Sequence, residues 1–293
     1  MKAKLLILLV SLSLIACGDD NDDDTTPTTP TTPTTPTTPT TDAASKALIK
    51  EVSGIVLRES LADGLVDSLV YATDEARDGA KCSSGSYQKT ADSITFNNCV
   101  GIFEDEDKGS ASGIVKFTRV NNSSSDYEFK DLTVTFANGE SQLINGGLNV
   151  TETTTTAIIS VNQIKAVIKE FDTSKKLRTV NYTIDHYKLI WTPQDAKNLK
   201  LQLSGKVAAT GGEFGDFNVA YDNTNSPFFV KLDANENIVS APYAGVMTII
   251  DLKNNQNITT ISTLNDQKAQ YKAVVNGKVL FDESKNWSEL LDY

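Results

Sequence analysis

The chain reads as a mainly β protein: a large antiparallel sheet folded as a sandwich or curled barrel, with an N-terminal amphipathic helical segment. Three observations predict this. From about residue 85 onward, apolar and polar residues alternate with a period of two, as in Leu132-Val134-Phe136 against Thr133 and Thr135. Clusters of Asn, Gly and Ser separate these runs at short intervals. Only residues 42–77 carry apolar side chains at helical spacing, so no crossover helices separate the strands.

The first sixteen residues form a leader. Lys2 and Lys4 precede an apolar stretch from Leu5 to Ile15 that is too short for a spanning helix. The box Leu14-Ile15-Ala16-Cys17, followed by Gly18, resembles the lipobox of bacterial lipoproteins. The resemblance implies cleavage before Cys17 and acylation of that cysteine, so the partner there is a membrane, reached through lipid. It also implies outer-membrane delivery, because Gly18 stands where Asp would retain the protein at the inner membrane.

Residues 17–41 follow as a tether. Asp19-Asp20-Asn21-Asp22-Asp23-Asp24 is a self-repelling charge run. Thr-Thr-Pro then repeats, with prolines at 27, 30, 33, 36 and 39. That three-residue period matches a polyproline II turn, and at about 3.1 Å per residue the run spans roughly 50 Å. Asp20, Asp22 and Asp24 lack the glycine and distal glutamate of a calcium loop.

Residues 42–293 are expected to hold the helix followed by a single β-rich domain. Asp42 is placed to cap the helix. Leu48, Val52, Ile55 and Val56, then Leu65, Val66, Leu69 and Val70, recur at helical spacing, with Asp63-Gly64 as a break. Cys82 and Cys99, the remaining cysteines of an exported chain, are expected to be bridged. A hairpin centred on Thr90-Ala91 would set them directly opposite one another. With no C-x-x-C motif, the bridge is read as structural.

Further strands are expected at Leu199-Leu201-Leu203, Phe217-Val219-Tyr221, Val246-Thr248-Ile250 and Ala269-Tyr271-Ala273-Val275. Turns are expected at Asn121-Asn122-Ser123, Asn138-Gly139, Gly211-Gly212, Asn223-Thr224-Asn225, Asn254-Asn255 and Asn276-Gly277. Val180, Tyr182, Ile184 and His186 fall on one face of a strand and Tyr187, Leu189 and Trp191 on the other, as if both faces were covered, with Pro193 ending it. Gly113, Gly146-Gly147, Gly205, Gly245 and Gly277 each precede an alternating stretch, a sign of bulges or turns at the strand starts. Ile94-Thr95-Phe96-Asn97-Asn98-Cys99 with Ser112-Gly113-Ile114-Val115-Lys116-Phe117 resembles a segment of uncharacterised β-rich lipoproteins of Gram-negative bacteria. That resemblance implies fold and location, and no activity.

The chemistry is sparse. One histidine, His186, excludes multi-histidine zinc sites. There is no G-x-S-x-G elbow, P-loop or G-x-G-x-x-G. Glu104-Asp105-Glu106-Asp107 is read as a solvated loop, and Asp233, Asn235 and Asn237 as a hairpin turn, because Ile238 and Ala244 replace the glycine and glutamate of a calcium loop. The formal charge of −11 falls to −13 once the leader takes Lys2 and Lys4 with it. Such a chain is a poor partner for nucleic acid. No cofactor, metal or catalytic residue is assigned. The expected function is a non-enzymatic, outer-membrane-anchored lipoprotein displaying its β domain on the tether, for binding a protein or glycan or for envelope structure. The alternative is a lipid or lipoprotein carrier with an apolar cavity in a curled sheet. A hydrolase working through carboxylates or His186 is the third reading.

Overall fold

The computed structural model describes residues 40–61, 64–103 and 109–291. Cys17 with its leader, most of the tether, and the run Glu104-Asp105-Glu106-Asp107 lie outside them. Two helices come first, α1 (Thr40–Ser60) and α2 (Leu65–Asp78). Because α1 begins at Thr40, Asp42 lies in its first turn and not at its cap. The break falls where Asp63-Gly64 predicts it. Gly64 is the N-cap of α2 without a side chain to cap it, and Glu59 of α1 supplies the missing acceptor: its Oε1 takes the Leu65 N–H at 2.8 Å. Gly79, at φ 95°, ends α2 in the left-handed conformation that glycine tolerates best.

The strands are β1 (Ser84–Lys89), β2 (Ser93–Val100), β3 (Ser110–Asn121), β4 (Ser124–Thr135), β5 (Ser141–Glu152), β6 (Ala157–Phe171) and β7 (Leu177–Asp195). They continue as β8 (Asn198–Thr210), β9 (Phe217–Asp222), β10 (Phe228–Lys231), β11 (Val246–Asp251), β12 (Ile258–Thr263), β13 (Lys268–Val275) and β14 (Lys278–Asn286). A short helix, α3 (Trp287–Leu291), follows. All fourteen strands join one antiparallel sheet in chain order, except that β10 pairs with β8 beside β9 while β9 goes on to β11. β1 and β14 are its two edges, so the sheet is not closed into a barrel.

One sheet face and both helices bury a single apolar cluster. The second half of α1 is buried on most sides, with Val52, Val56, Leu57 and Leu61 inside, and α2 adds Val66, Leu69, Ala72 and Ala76 along one stripe. Ile94, Phe129, Ile144, Ile164, Leu189, Leu203, Phe228, Ile261 and Ala269 join the same cluster from β2 to β13. Polar contacts fix where the helices sit. The Ser53 and Tyr271 hydroxyls bond at 3.0 Å, tying α1 to β13, and Tyr187 of β7 donates to the Glu59 carbonyl at 3.3 Å. Over β4, Arg77 of α2 donates to the Tyr127 hydroxyl, which donates to Asp74. Behind α1 stands α3, where Trp287 packs edge-on against Phe228 at 6.0 Å.

A line of β-bulges crosses the sheet. Register slips at Phe96/Cys99 of β2, Ser112/Ile114 of β3, Phe129/Leu132 of β4, Gly147/Leu148 of β5 and Asp185/Lys188 of β7. The pairing sets these slips side by side, with Asn162 of β6 and Gly205 of β8 in the same row. Asn98, Gly113, Asp131, Gly146 and His186 hold positive φ there, at 49°, 122°, 47°, 135° and 52°. Asn, Asp and His are the non-glycine types that tolerate this region best. Bulges bend a strand and raise its twist, so a row of them creases the sheet along one line.

The crease corrects several sequence expectations. On β7 the bulge resets the alternation, so Ile184 and Tyr187 are both buried although three residues apart. Val180, Ile184, Tyr187 and Leu189 therefore share the inner face; the strand is covered on one side, not two. Pro193 does not end it: β7 runs to Asp195, with Pro193 beside a register shift at the hairpin end. Gly113, Gly146 and Gly205 stand inside β3, β5 and β8, not at their starts. On β11 the buried residues are Met247 and Ile249, so Val246, Thr248 and Ile250 form the outer face. Asn276 and Gly277, at φ 51° and 74°, make the expected two-residue hairpin turn.

Candidate functional site

Cys82 and Cys99 are bridged, with 5.2 Å between their Cα atoms. The hairpin register differs from the expected one. Tyr87 pairs with Phe96 and Lys89 with Ile94, which centres the turn on Ala91-Asp92. Thr90 explains the shift: its hydroxyl accepts the Ser93 N–H at 3.0 Å and bonds Asp92 at 2.8 Å, so Thr90 opens the turn instead of filling it. Cys82 thus precedes β1 and reaches Cys99 beyond the bulge of β2.

His186 is exposed on the outer face, in the left-handed conformation of its bulge. This corrects the expectation of an apolar setting and gives the residue a backbone reason to be there. Asp233 is spent on its own turn: it accepts the N–H groups of Asn235 and Asn237 at 2.8 and 2.9 Å and the Asn237 amide at 3.0 Å. Those bonds hold its carboxyl below the usual range. Among the described residues no three His, Cys, Asp or Glu side chains gather as metal ligands.

On the outer face the crease carries a polar ladder. Ser112 donates to Asn98 at 3.2 Å, Asn145 bonds the Asp131 N–H and carboxylate at 2.9 and 3.2 Å, and Gln163 donates to Asp185 at 2.9 Å. Further along, a groove of about 310 Å³ opens where β9 gives way to the 223–227 loop. Ala220, Val246 and Ile250 line it with apolar side chains, and Asp222, Asn225, Ser226 and Thr248 with polar ones. Asn223 shapes it by leaving β9 to pair with the β8 backbone, accepting the Leu203 N–H at 2.6 Å. The groove lies at the low end of ligand-site volumes and presents amide and hydroxyl groups with one carboxylate, Asp222.

A cluster of charges surrounds Glu51, midway along α1. Glu51 faces Glu170 of β6, Arg178 and Tyr182 of β7, Glu213 of the 211–216 loop, and Arg58 of its own helix. Its Oε2 is shut off from solvent and has no hydrogen-bond partner. Desolvation, with the Glu170 and Glu213 charges, pushes its carboxyl from 4.5 up to about 6. Burial, then the Glu140 charge, raises Glu170 as well. Arg178 is committed elsewhere, donating to Asp172 at 2.7 Å and to the Gly212 carbonyl at 3.2 Å, with Nε buried and unpaired. Thr173 fixes Glu213 through its backbone N–H at 3.0 Å and through its hydroxyl. Sequence reasoning missed this cluster because Glu51 of α1 lies far along the chain from Glu170, Arg178 and Glu213. The only local signal was Glu51 and Arg58, seven residues apart on one helix face.

Comparison of the chain with protein-family models, with curated proteins and with solved structures gives no match.

Proposed function

We propose that this chain is an outer-membrane-anchored lipoprotein that displays a non-catalytic β domain on a stiff tether, for binding or for envelope structure. The sequence supports the anchor through Leu14-Ile15-Ala16-Cys17 after a short apolar leader, and the spacer through five evenly spaced prolines. The observation that carries display over carriage is the occupation of the inner sheet face. Val52, Val56, Leu57, Val66 and Leu69 of the helices fill it and join the strands in one cluster. On this reading the helical segment is the apolar cover of a sandwich-like domain, and the outer face, with its polar ladder and groove, meets the partner. The reading gives His186 no catalytic role, since its bulge conformation accounts for the residue type.

The anchor is tested by Cys17→Ser. The variant is expected to leave the membrane fraction or to accumulate as a precursor of higher mass. Membrane fractionation and mature mass identical to the wild type would refute the lipoprotein reading. Carriage is tested separately: extraction of purified protein should release no stoichiometric lipid beyond the chains on Cys17.

A further inference from the structure

The middle of α1 brings together a half-buried carboxylate with one shielded, idle oxygen, two further carboxylates from other elements, and an arginine already spent on other acceptors. The burial and the two carboxylates oppose a negative charge on Glu51, and the arginine offsets them only in part. Its Oε2 has no hydrogen bond to stabilise an anion. Glu170 approaches from β6 and Glu213 from the 211–216 loop, both adding repulsion. Opposing them are Arg58 on α1 and Arg178 on β7, and Arg178 has both terminal nitrogens bonded to Asp172 and Gly212. Tyr182 of β7, kept neutral by burial, adds no positive charge. Glu213 cannot swing away without giving up both Thr173 bonds.

We propose that Glu51 is an acid-operated latch: protonated, it seats the first turns of α1 against β6, β7 and the 211–216 loop, and ionised, it loosens them. The sign follows from linkage. A carboxyl whose pKa is higher in the docked state binds more protons there than when released, so docking weakens as pH rises from the released value toward the docked one. With Glu51 moving from 4.5 to about 6, the window is pH 4.5 to 6. The opening equilibrium can change by at most about thirtyfold across it, since one pKa unit is tenfold, and solvent screening at this half-buried site reduces that to roughly tenfold. α1 is the first element of the described chain, ahead of α2 and the sheet, so the latch governs how firmly the domain holds its N-terminal helix. Leu48, beside Gly215, and Val52 lie on the stretch that would open, whereas Leu57 and Leu61 stay under the sheet.

The test is hydrogen exchange by mass spectrometry on the full-length chain in detergent, with protection corrected for intrinsic exchange at each pH. Amides of residues 46–54 should lose about tenfold protection between pH 4.5 and 7, while amides of β5 and β6 hold constant. Glu51→Gln, neutral and of equal size, should abolish the fall and keep the high protection at every pH. Glu170→Gln should shrink the fall without abolishing it, and decides the matter should Glu51→Gln not fold. A wild-type profile without the fall, a fall that survives in Glu51→Gln, or one unmoved by Glu170→Gln overturns the latch.

Discussion

Replacing Gly146 by alanine tests whether the crease is a built feature of the sheet. Gly146 sits in β5 at φ 135°, a conformation that residues with a Cβ avoid at a cost of about 1–3 kcal/mol. An added Cβ would lie 2.3 Å from the Gln163 carbonyl oxygen and 2.8 Å from the Ile164 Cα. Both are backbone atoms of β6, so no side chain can turn aside. Overpacking of this kind adds about 1–3 kcal/mol. Gly139, at φ 95° in the β4–β5 turn, has nothing within 4 Å of its Cβ position, so Gly139→Ala pays only the backbone term of about 1–2 kcal/mol. Gly146→Ala should therefore cost about 2 kcal/mol more than Gly139→Ala. With a urea dependence of about 3 kcal/mol per molar, the two midpoints should differ by roughly 0.7 M. Equal midpoints, or a Gly146→Ala loss below about 1 kcal/mol, would refute the claim that β5 needs glycine where the crease crosses it.

His186→Gln should change stability by less than about 0.5 kcal/mol, because the ring is exposed, whereas His186→Val should cost about 1–2 kcal/mol by forcing a β-branched residue to φ 52°; equal effects in thermal denaturation would contradict the bulge assignment. Cys82→Ser with Cys99→Ser should cost about 3 kcal/mol in denaturant unfolding, and the intact chain should show neither cysteine alkylated without reductant. Alkylation of both in natively purified protein would refute the bridge.

The large features were legible because they rest on local periods. Leu132-Val134-Phe136, Leu199-Leu201-Leu203 and Phe217-Val219-Tyr221 alternate cleanly, and all nine residues are buried or nearly so. Asn276-Gly277 reads as a tight turn because both positions need positive φ. What misled was the residue that adds one to the count. His186 makes an unbroken period of two run through a bulge, so β7 looked two-faced. Val246-Met247-Thr248-Ile249-Ile250 is apolar at both parities, leaving pairing partners to decide which side faces in. The Glu51 cluster was invisible for a different reason: charges distant in sequence meet only after the strands have ordered themselves.

The place of α1 has a consequence for how the chain is made. α1 is synthesised ahead of every strand, yet its Ser53 bonds Tyr271 of β13 and its Gly54 lies against Leu290 of α3, elements that follow the whole run of strands from β1 to β12. Each hairpin can zip onto its predecessor as it emerges, because every pairing but two joins chain neighbours. α1 cannot do the same; its long-range contacts wait for β13 and α3. A chain cut short before β13 would present a sheet with Val52, Val56 and Leu57 incompletely covered, apolar surface open to aggregation and proteolysis. The burial of α1 is thus completed only once β13 and α3 are in place.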